Sequence, residues 1–283
     1  MRYPATPGTL LLALLALIPS ELLAGPDGQC QGASAECVAE GGWNFSVSLG
    51  AGVRTNPVVR EADIPLIVVP QFSYYGKRFF IDNLDAGCTL LESDHSTLSL
   101  IASPGYDRVF FYRGDPQNLF VGSFGVSPGS AAYVTAETPG AVHFFSRPRE
   151  VTYLAGPEWT FKYANLTGQL DVLHEITGHN HGDEVRAALA VPLGHLGGSW
   201  GVNVGLTWKS AAIVNYYYGA AGIYTAGAAL DPFVKLSYSR PLKGRWKITA
   251  FVEGERLGSA IADSPIINQQ YVATVFVGTT YVF

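Results

Sequence analysis

The chain ends on a strict alternation. Tyr271, Ala273, Val275, Val277, Thr279, Tyr281 and Phe283 fall on one parity of the last thirteen residues. On an extended chain, successive side chains point to opposite faces, so these seven share one face. Tyr271 and Tyr281 are ten residues apart. At about 3.3 Å per residue and a tilt near 40°, that spacing covers about 25 Å along a membrane normal. This is the height of the apolar band between the two aromatic girdles of a transmembrane barrel. A strand in a soluble sandwich rarely needs that length, or aromatics at both ends of one face. Phe283 also supplies the terminal aromatic that barrel-assembly machinery reads as an address.

The same pattern recurs. Trp43, Phe45, Val47, Leu49, Ala51 and Val53 alternate with Asn44, Ser46, Ser48, Gly50, Gly52 and Arg54. Trp200 to Trp208, Val185 to Val191, Pro232 to Tyr238 and Trp246 to Val252 behave alike. Charges of both signs collect on the opposite parity, among them Lys162, Asp171, Lys235, Glu253 and Glu255. An isolated charge facing lipid costs about 2–4 kcal/mol at the midplane, so these face a lumen. Lys235 with Glu253, and Lys162 with Asp171, are expected to neutralise one another across neighbouring strands. Weaker strands are expected at 64–75, 78–92, 96–112, 118–135, 151–164 and 166–179. The reading is an all-β, antiparallel up-and-down transmembrane barrel of about twelve strands. Ten is the alternative, because 113–150 is poorly patterned. Gly76-Lys77, Ala164-Asn165 and Pro241–Gly244 are short enough for periplasmic turns. Asn56–Asp63, Ala136–Glu150, Asn215–Thr225 and Gly258–Gln269 are longer and are expected to face outside.

Composition fits this reading. The chain is 48% hydrophobic but 14% charged, where soluble domains carry about 25% charged residues. Residues 1–24 read as a signal peptide: Arg2, then the apolar core Leu10 to Ile18, then Pro19-Ser20, with Ala24 as the last residue before cleavage. Residues 25–42 read as a periplasmic tail, leaving 43–283 for the barrel and outer-membrane lipid as its surroundings. Cys30 and Cys37 form a small disulfide loop in an oxidising compartment or remain free thiols; both readings stand. A net charge of −5 offers no footprint for nucleic acid.

Nothing in the chain spells out catalysis. In His174-Glu175-Ile176-Thr177-Gly178-His179 the two histidines are five apart, where the helical zinc motif needs four. His179, His181 and Asp183 read as a solvated outer loop. No Gly-x-Ser-x-Gly elbow occurs. No cofactor or metal is expected. Asn215-Tyr216-Tyr217-Tyr218-Gly219 reads as part of an interfacial aromatic belt.

Several stretches resemble the MipA/OmpV family of outer-membrane proteins: Pro70–Phe80 (PQFSYYGKRFF), Asn215–Gly219 (NYYYG), Asp231–Ser239 (DPFVKLSYS) and Gly278–Phe283 (GTTYVF). The most specific is Ile261-Ala262-Asp263-Ser264-Pro265-Ile266-Ile267, just before the last strand. The resemblance covers about 43–283 and implies an outer-membrane barrel. It also implies scaffolding of envelope enzymes, joining a lytic transglycosylase to a peptidoglycan synthase, and links to adhesion, osmotic response or antibiotic susceptibility. It brings no catalytic residues. A structural scaffold is therefore the first expectation, and a narrow channel or small-solute transporter the second.

Overall fold

The computed structural model describes residues 41–112, 115–120, 149–194 and 197–283. Twelve strands form one closed antiparallel barrel. They are β1 Trp43–Arg54, β2 Ile64–Tyr75, β3 Phe79–Asp82, β4 Asp85–Ser93, β5 Ser96–Pro104 and β6 Tyr153–Tyr163. After them come β7 Leu166–Glu175, β8 Asp183–Gly194, β9 Ser199–Lys209, β10 Ala229–Pro241, β11 Trp246–Arg256 and β12 Tyr271–Val282. Each strand pairs with its sequence neighbours, and β12 closes the ring on β1 from Ser46↔Val282 to Arg54↔Thr274. Closure leaves no unpaired first or last strand, as a lipid setting demands.

The outer surface is apolar for a simple reason: the alternating faces are sorted, one to each side of the wall. Trp43, Phe45, Leu49 and Val53 on β1, and Val275 and Val277 on β12, are exposed, whereas Ser48, Thr274 and Thr280 are buried in the lumen. Inside, hydroxyls zip the closing seam, with Ser48 Oγ and Thr249 Oγ1 each 2.7 Å from Thr280 Oγ1. Beside them the Phe276 ring lies over the paired Gly50 and Gly278. A Cβ on either glycine would sit 2.8 Å from that ring, so the ring needs both to be glycine.

The connections differ at the two ends. Turns at the end that carries β1's start and β12's finish are short: 76–78, 94–95, 164–165 and 242–245. At the opposite end, 55–63, 105–152, 210–228 and 257–270 are long. They contain the 3-10 helices Tyr106–Phe110 and Pro116–Phe120 and two α-helices, α1 Ala211–Tyr218 and α2 Ser259–Ala262.

Four boundaries differ from the sequence reading, one of them the expected strand 166–179, which stops at Glu175. The expected strand 78–92 is a hairpin, β3 and β4, turned at Asn83-Leu84 with Asn83 at φ 53°. The expected strand 118–135 is a 3-10 helix as far as Phe120, and the rest lies outside the described residues. The expected strand 96–112 stops at Pro104, where Gly105 leads into the 3-10 helix Tyr106–Phe110. The signal peptide, most of the tail, and Cys30 and Cys37 also lie outside the described residues.

Candidate functional site: a loop plug over a charged lumen

The long connections do not splay outward. They fold together into a core that fills the mouth of the barrel. Val58 comes from the β1–β2 connection, and Val109 and Phe110 from the β5–β6 connection. Ile213, Val214, Tyr217 and Tyr218 come from α1, and Ile261, Ile266 and Ile267 from the β11–β12 connection. These meet Ile101, Leu154 and Leu173 on the wall. Helix α1 places Ile213, Val214, Tyr217 and Tyr218 on one face by the three-to-four spacing of a helix. Tyr217 and Tyr218 are 1% and 0% exposed, so this tyrosine run is not an interfacial belt but the centre of the plug.

The family stretch is its keystone. Ile261 is fully buried. Ser264 Oγ donates to the Tyr218 carbonyl at 2.6 Å, tying the stretch to the end of α1. Ile267 bridges Val58 across the mouth, and Val59 N–H donates to the Ile266 carbonyl at 2.8 Å. Asp263 is exposed, beside a surface groove that it shares with Ala262 and 267–271. Asn215 fixes the far side of the α1 loop: its side chain accepts from Ala226 N–H at 2.7 Å and donates to the Ala211 carbonyl at 2.7 Å.

Beneath the apolar core lies a charged joint. Lys209 Nζ, at the top of β9, is 2.7 Å from Asp107 Oδ1 and 3.1 Å from Asp231 Oδ2. Tyr218 Oη donates to the same Asp107 oxygen at 2.7 Å. Burial, helped by the Asp107 carboxylate, pushes the Tyr218 hydroxyl well above its ordinary pKa, so it stays a neutral donor. Tyr217 Oη lies 2.9 Å from Thr152 Oγ1. Arg149 Nε donates to the Tyr217 carbonyl at 2.8 Å, and its guanidinium stacks on Phe111 at 3.8 Å. Arg108 pairs with Asp115.

The lumen wall carries further charges. Arg186 pairs with Glu184 at 2.5 Å and donates to Ser103 Oγ at 2.7 Å. Arg54 faces Glu255 at 3.6 Å. Lys235 and Glu253 are direct cross-strand partners with their charges 3.7 Å apart. Lys162 and Asp171 are not brought together: Lys162 pairs in register with Thr167 and is exposed at the terminal rim, whereas Asp171 opposes Glu158. Gln169 Nε2 lies between those two carboxylates at 3.0–3.1 Å. The sequence showed no sign of Asp107, although Lys209 and Asp231 sit on the inward parity of their strands.

Other candidates separate. Tyr271 is exposed at one end of β12, and Tyr281 packs at the other on Trp246 and Phe283, with ring centroids 5.0 Å away in both cases. His174 lies 2.8 Å from Asp183, and His179 stacks on Tyr216. Among the described residues no group of three or more His, Cys, Asp or Glu is placed to hold a metal ion. Glu175 accepts the backbone N–H groups of Thr177, His179, Asn180 and His181, so it orders the β7–β8 loop from within.

The terminal rim has a different character. Lys77 and Arg78 lie on the β2–β3 turn, and Arg240, Lys243, Arg245 and Lys247 on or beside the β10–β11 turn. In the ring these turns flank the β1–β12 seam, so they form one arc around the termini. No Asp or Glu occurs along it among the described residues, and all six but Lys247 are exposed.

Two curated relatives match most of the chain: MltA-interacting protein of Escherichia coli (strain K12) and its namesake of Shigella flexneri. Each is 23% identical over 265 residues, covering 87% of this chain and 93% of the relative. Among solved structures, a porin is 10% identical, with 86% of this chain and all of the porin covered, at a TM-score of 0.33. The anion-selective porin from Comamonas acidovorans has the same identity and TM-score. The family model described as MltA-interacting protein MipA matches residues 47–283, nearly the whole barrel from β1 to the last residue, and the chain belongs to that family.

Proposed function

We propose that this protein is a non-enzymatic outer-membrane scaffold that presents its basic terminal rim to partners in the periplasm. One observation carries the reading: the loop mouth is filled by a packed core, while the opposite rim offers an open arc of basic side chains. A barrel built to pass solutes would keep its mouth free. A positive arc suits an acidic protein surface, steering encounter and fixing orientation more than supplying affinity. The name of the Escherichia coli relative states an interaction with MltA. A lytic transglycosylase is therefore the first partner to test and a peptidoglycan synthase the second. Phe283 would direct insertion through barrel-assembly machinery after the signal peptide is removed.

Immobilised mature barrel is expected to retain a periplasmic lytic transglycosylase at low salt. Retention should fall as ionic strength rises, because charges further apart than about 8 Å are screened at 0.15 M. Replacing Arg240, Lys243 and Arg245 together by glutamate is expected to abolish it while the boiled and unboiled gel mobilities stay unchanged. Retention unaffected by that triple change, or no retention at all, counts against the scaffold reading.

The rival reading is a narrow channel. In planar bilayers the intact barrel is expected to be electrically silent, since the mouth core and the paired lumen charges obstruct the lumen. Steady single-channel steps from the unmodified protein would favour transport instead.

A further inference from the structure

The inward charges are not balanced all the way round the barrel. From β8 to β1 each inward carboxylate has a cation beside it: Glu184 has Arg186, Asp231 has Lys209, Glu253 has Lys235 and Glu255 has Arg54. From β3 to β7 the case is different. Asp82 and Asp85 oppose each other on β3 and β4, and Glu158 and Asp171 on β6 and β7, all on the inward parity. Among the described residues none of these four is in an ion pair. Their hydrogen bonds come from neutral groups. Tyr75 Oη donates to Asp82 at 2.8 Å, and Gln169 bridges Glu158 and Asp171. Arg186 is within electrostatic reach of Asp85, Glu158 and Asp171, but it is held by Glu184 at 2.5 Å. Glu158 is within reach of Asp171, Asp85 and Asp82, so the four act as one field and not as two separate pairs.

The remainder of the chain is short of cations to balance them. Outside the described residues, 113–148 adds Arg113 and Arg147 against Glu137, and 25–40 adds Asp27, Glu36 and Glu40 with no Lys or Arg. Carboxylates that share a site do not all stay ionised without a counter-charge.

This side of the lumen also keeps open space. Asp82, Asp85, Glu158 and Gln169 each retain accessible surface although they face inward. Across the lumen Ser48, Thr274, Phe276 and Thr280 are buried. Toward the terminal rim Thr160 and Thr167 are half-buried, and Glu92 and Lys162 are exposed. Access is therefore from the terminal end, away from the mouth core. At the inner end of this space two acceptors are left over. Asp85 Oδ1 and Tyr106 Oη are buried and have no hydrogen-bond partner. Tyr106 hangs from the mouth on its 3-10 helix, and its hydroxyl is within electrostatic reach of Asp85 and Asp82. Buried polar atoms are nearly always hydrogen-bonded, so a leftover pair marks a place for a donor that the wall does not supply. An ammonium group brings three donors and a positive charge.

We propose that the β3–β7 side of the lumen is a binding site for a linear aliphatic polyamine, which enters from the terminal end and sets one ammonium group against Asp85 and Tyr106 and another against Glu158 and Asp171. The spread of the carboxylates names the occupant. Among the described residues no three of them converge on a point that would hold a metal ion, whereas a polyamine spaces its charges along a chain. The stacked rings of Tyr75 and Phe80, 6.0 Å apart beside Asp82, offer flat faces to the methylenes between those charges.

The test titrates spermidine into the mature barrel, folded in detergent, by isothermal titration calorimetry. Saturable binding is expected, and it should weaken as salt rises. Asp85→Asn with Glu158→Gln removes like charges at nearly constant side-chain volume, so the barrel should fold, as boiled and unboiled gel mobilities will report. Its affinity for spermidine should fall by about tenfold or more, the equivalent of one lost charge-assisted hydrogen bond. Asp263→Asn, exposed at the mouth, should leave the affinity unchanged. No saturable heat with the unmodified barrel would overturn the proposal and would mean that the carboxylates carry protons instead. So would an affinity untouched by the double change, or displacement of spermidine by magnesium at equal concentration. The transglycosylase retention described above is independent of every one of these readouts.

Discussion

Replacing Lys209 by methionine is expected to destabilise the plugged barrel by about 3–5 kcal/mol, the cost of breaking a buried ion pair by removing one partner. Lys209 is the cation that holds Asp107, brought in by a loop, against Asp231 on the wall. Asp107 and Asp231 are 3% and 0% exposed. Without the ammonium, two buried carboxylates face each other, and the Tyr218 hydroxyl cannot satisfy both. The temperature at which the folded gel band converts to the unfolded one should drop, and channel steps should appear in planar bilayers as the loop segment leaves the mouth. Changing Asp107 to asparagine in the same chain should recover part of the loss, because it takes away one of the stranded charges. A Lys209→Met protein with unchanged transition temperature and a silent bilayer would mean that the joint does not secure the plug.

Ile261→Ala is expected to cost about 2–5 kcal/mol, the usual range when a large buried aliphatic side chain is cut back and its surroundings relax only in part. The effect should be local. Ile261 sits among loop residues of the mouth core rather than in the strand ladders. Limited proteolysis should therefore nick the 210–228 and 257–270 connections of the variant while the strands stay protected. Ser264→Ala removes the bond to the Tyr218 carbonyl and should loosen the same connections by about 1 kcal/mol. If the strands and the connections were to open together, the mouth core would be part of the barrel's own cooperative unit.

The strands were legible because lipid and lumen impose opposite demands on alternate residues. β1, β9, β10, β11 and β12 lie close to where alternation puts them, and Lys235 faces Glu253 because the same parity rule orders both strands. The rule fails where the chain leaves the wall. Phe79 to Ser93 kept a strand-like composition across a turn marked by little more than Asn83, so two strands read as one. The stretch up to Phe120 looked like the start of another strand, yet Pro116–Phe120 is a helical turn packed against β2. The ring still counts twelve strands because the β3–β4 hairpin adds one to it, while 118–120 contribute none. The tyrosines of α1 look the same in sequence whether they sit at a lipid interface or under a lid. Their burial depends on Val58, Phe110 and Ile261, which lie far away along the chain. Lys162 missed Asp171 for a related reason: neighbouring strands and the right parity are not enough when the register sets them at different heights.

The bridge between Val58 and Ile267 carries one more consequence, concerning time. It joins the connection after the first strand to the connection before the last, and Gln269 donates to the Asn56 carbonyl from 213 residues further along the chain. Neither contact can form while the two ends of the chain are apart. The cover over the mouth must then be one of the last things the protein completes, after β12 has found β1. Its presence certifies a finished barrel, and a half-inserted chain would remain uncapped and open to proteases.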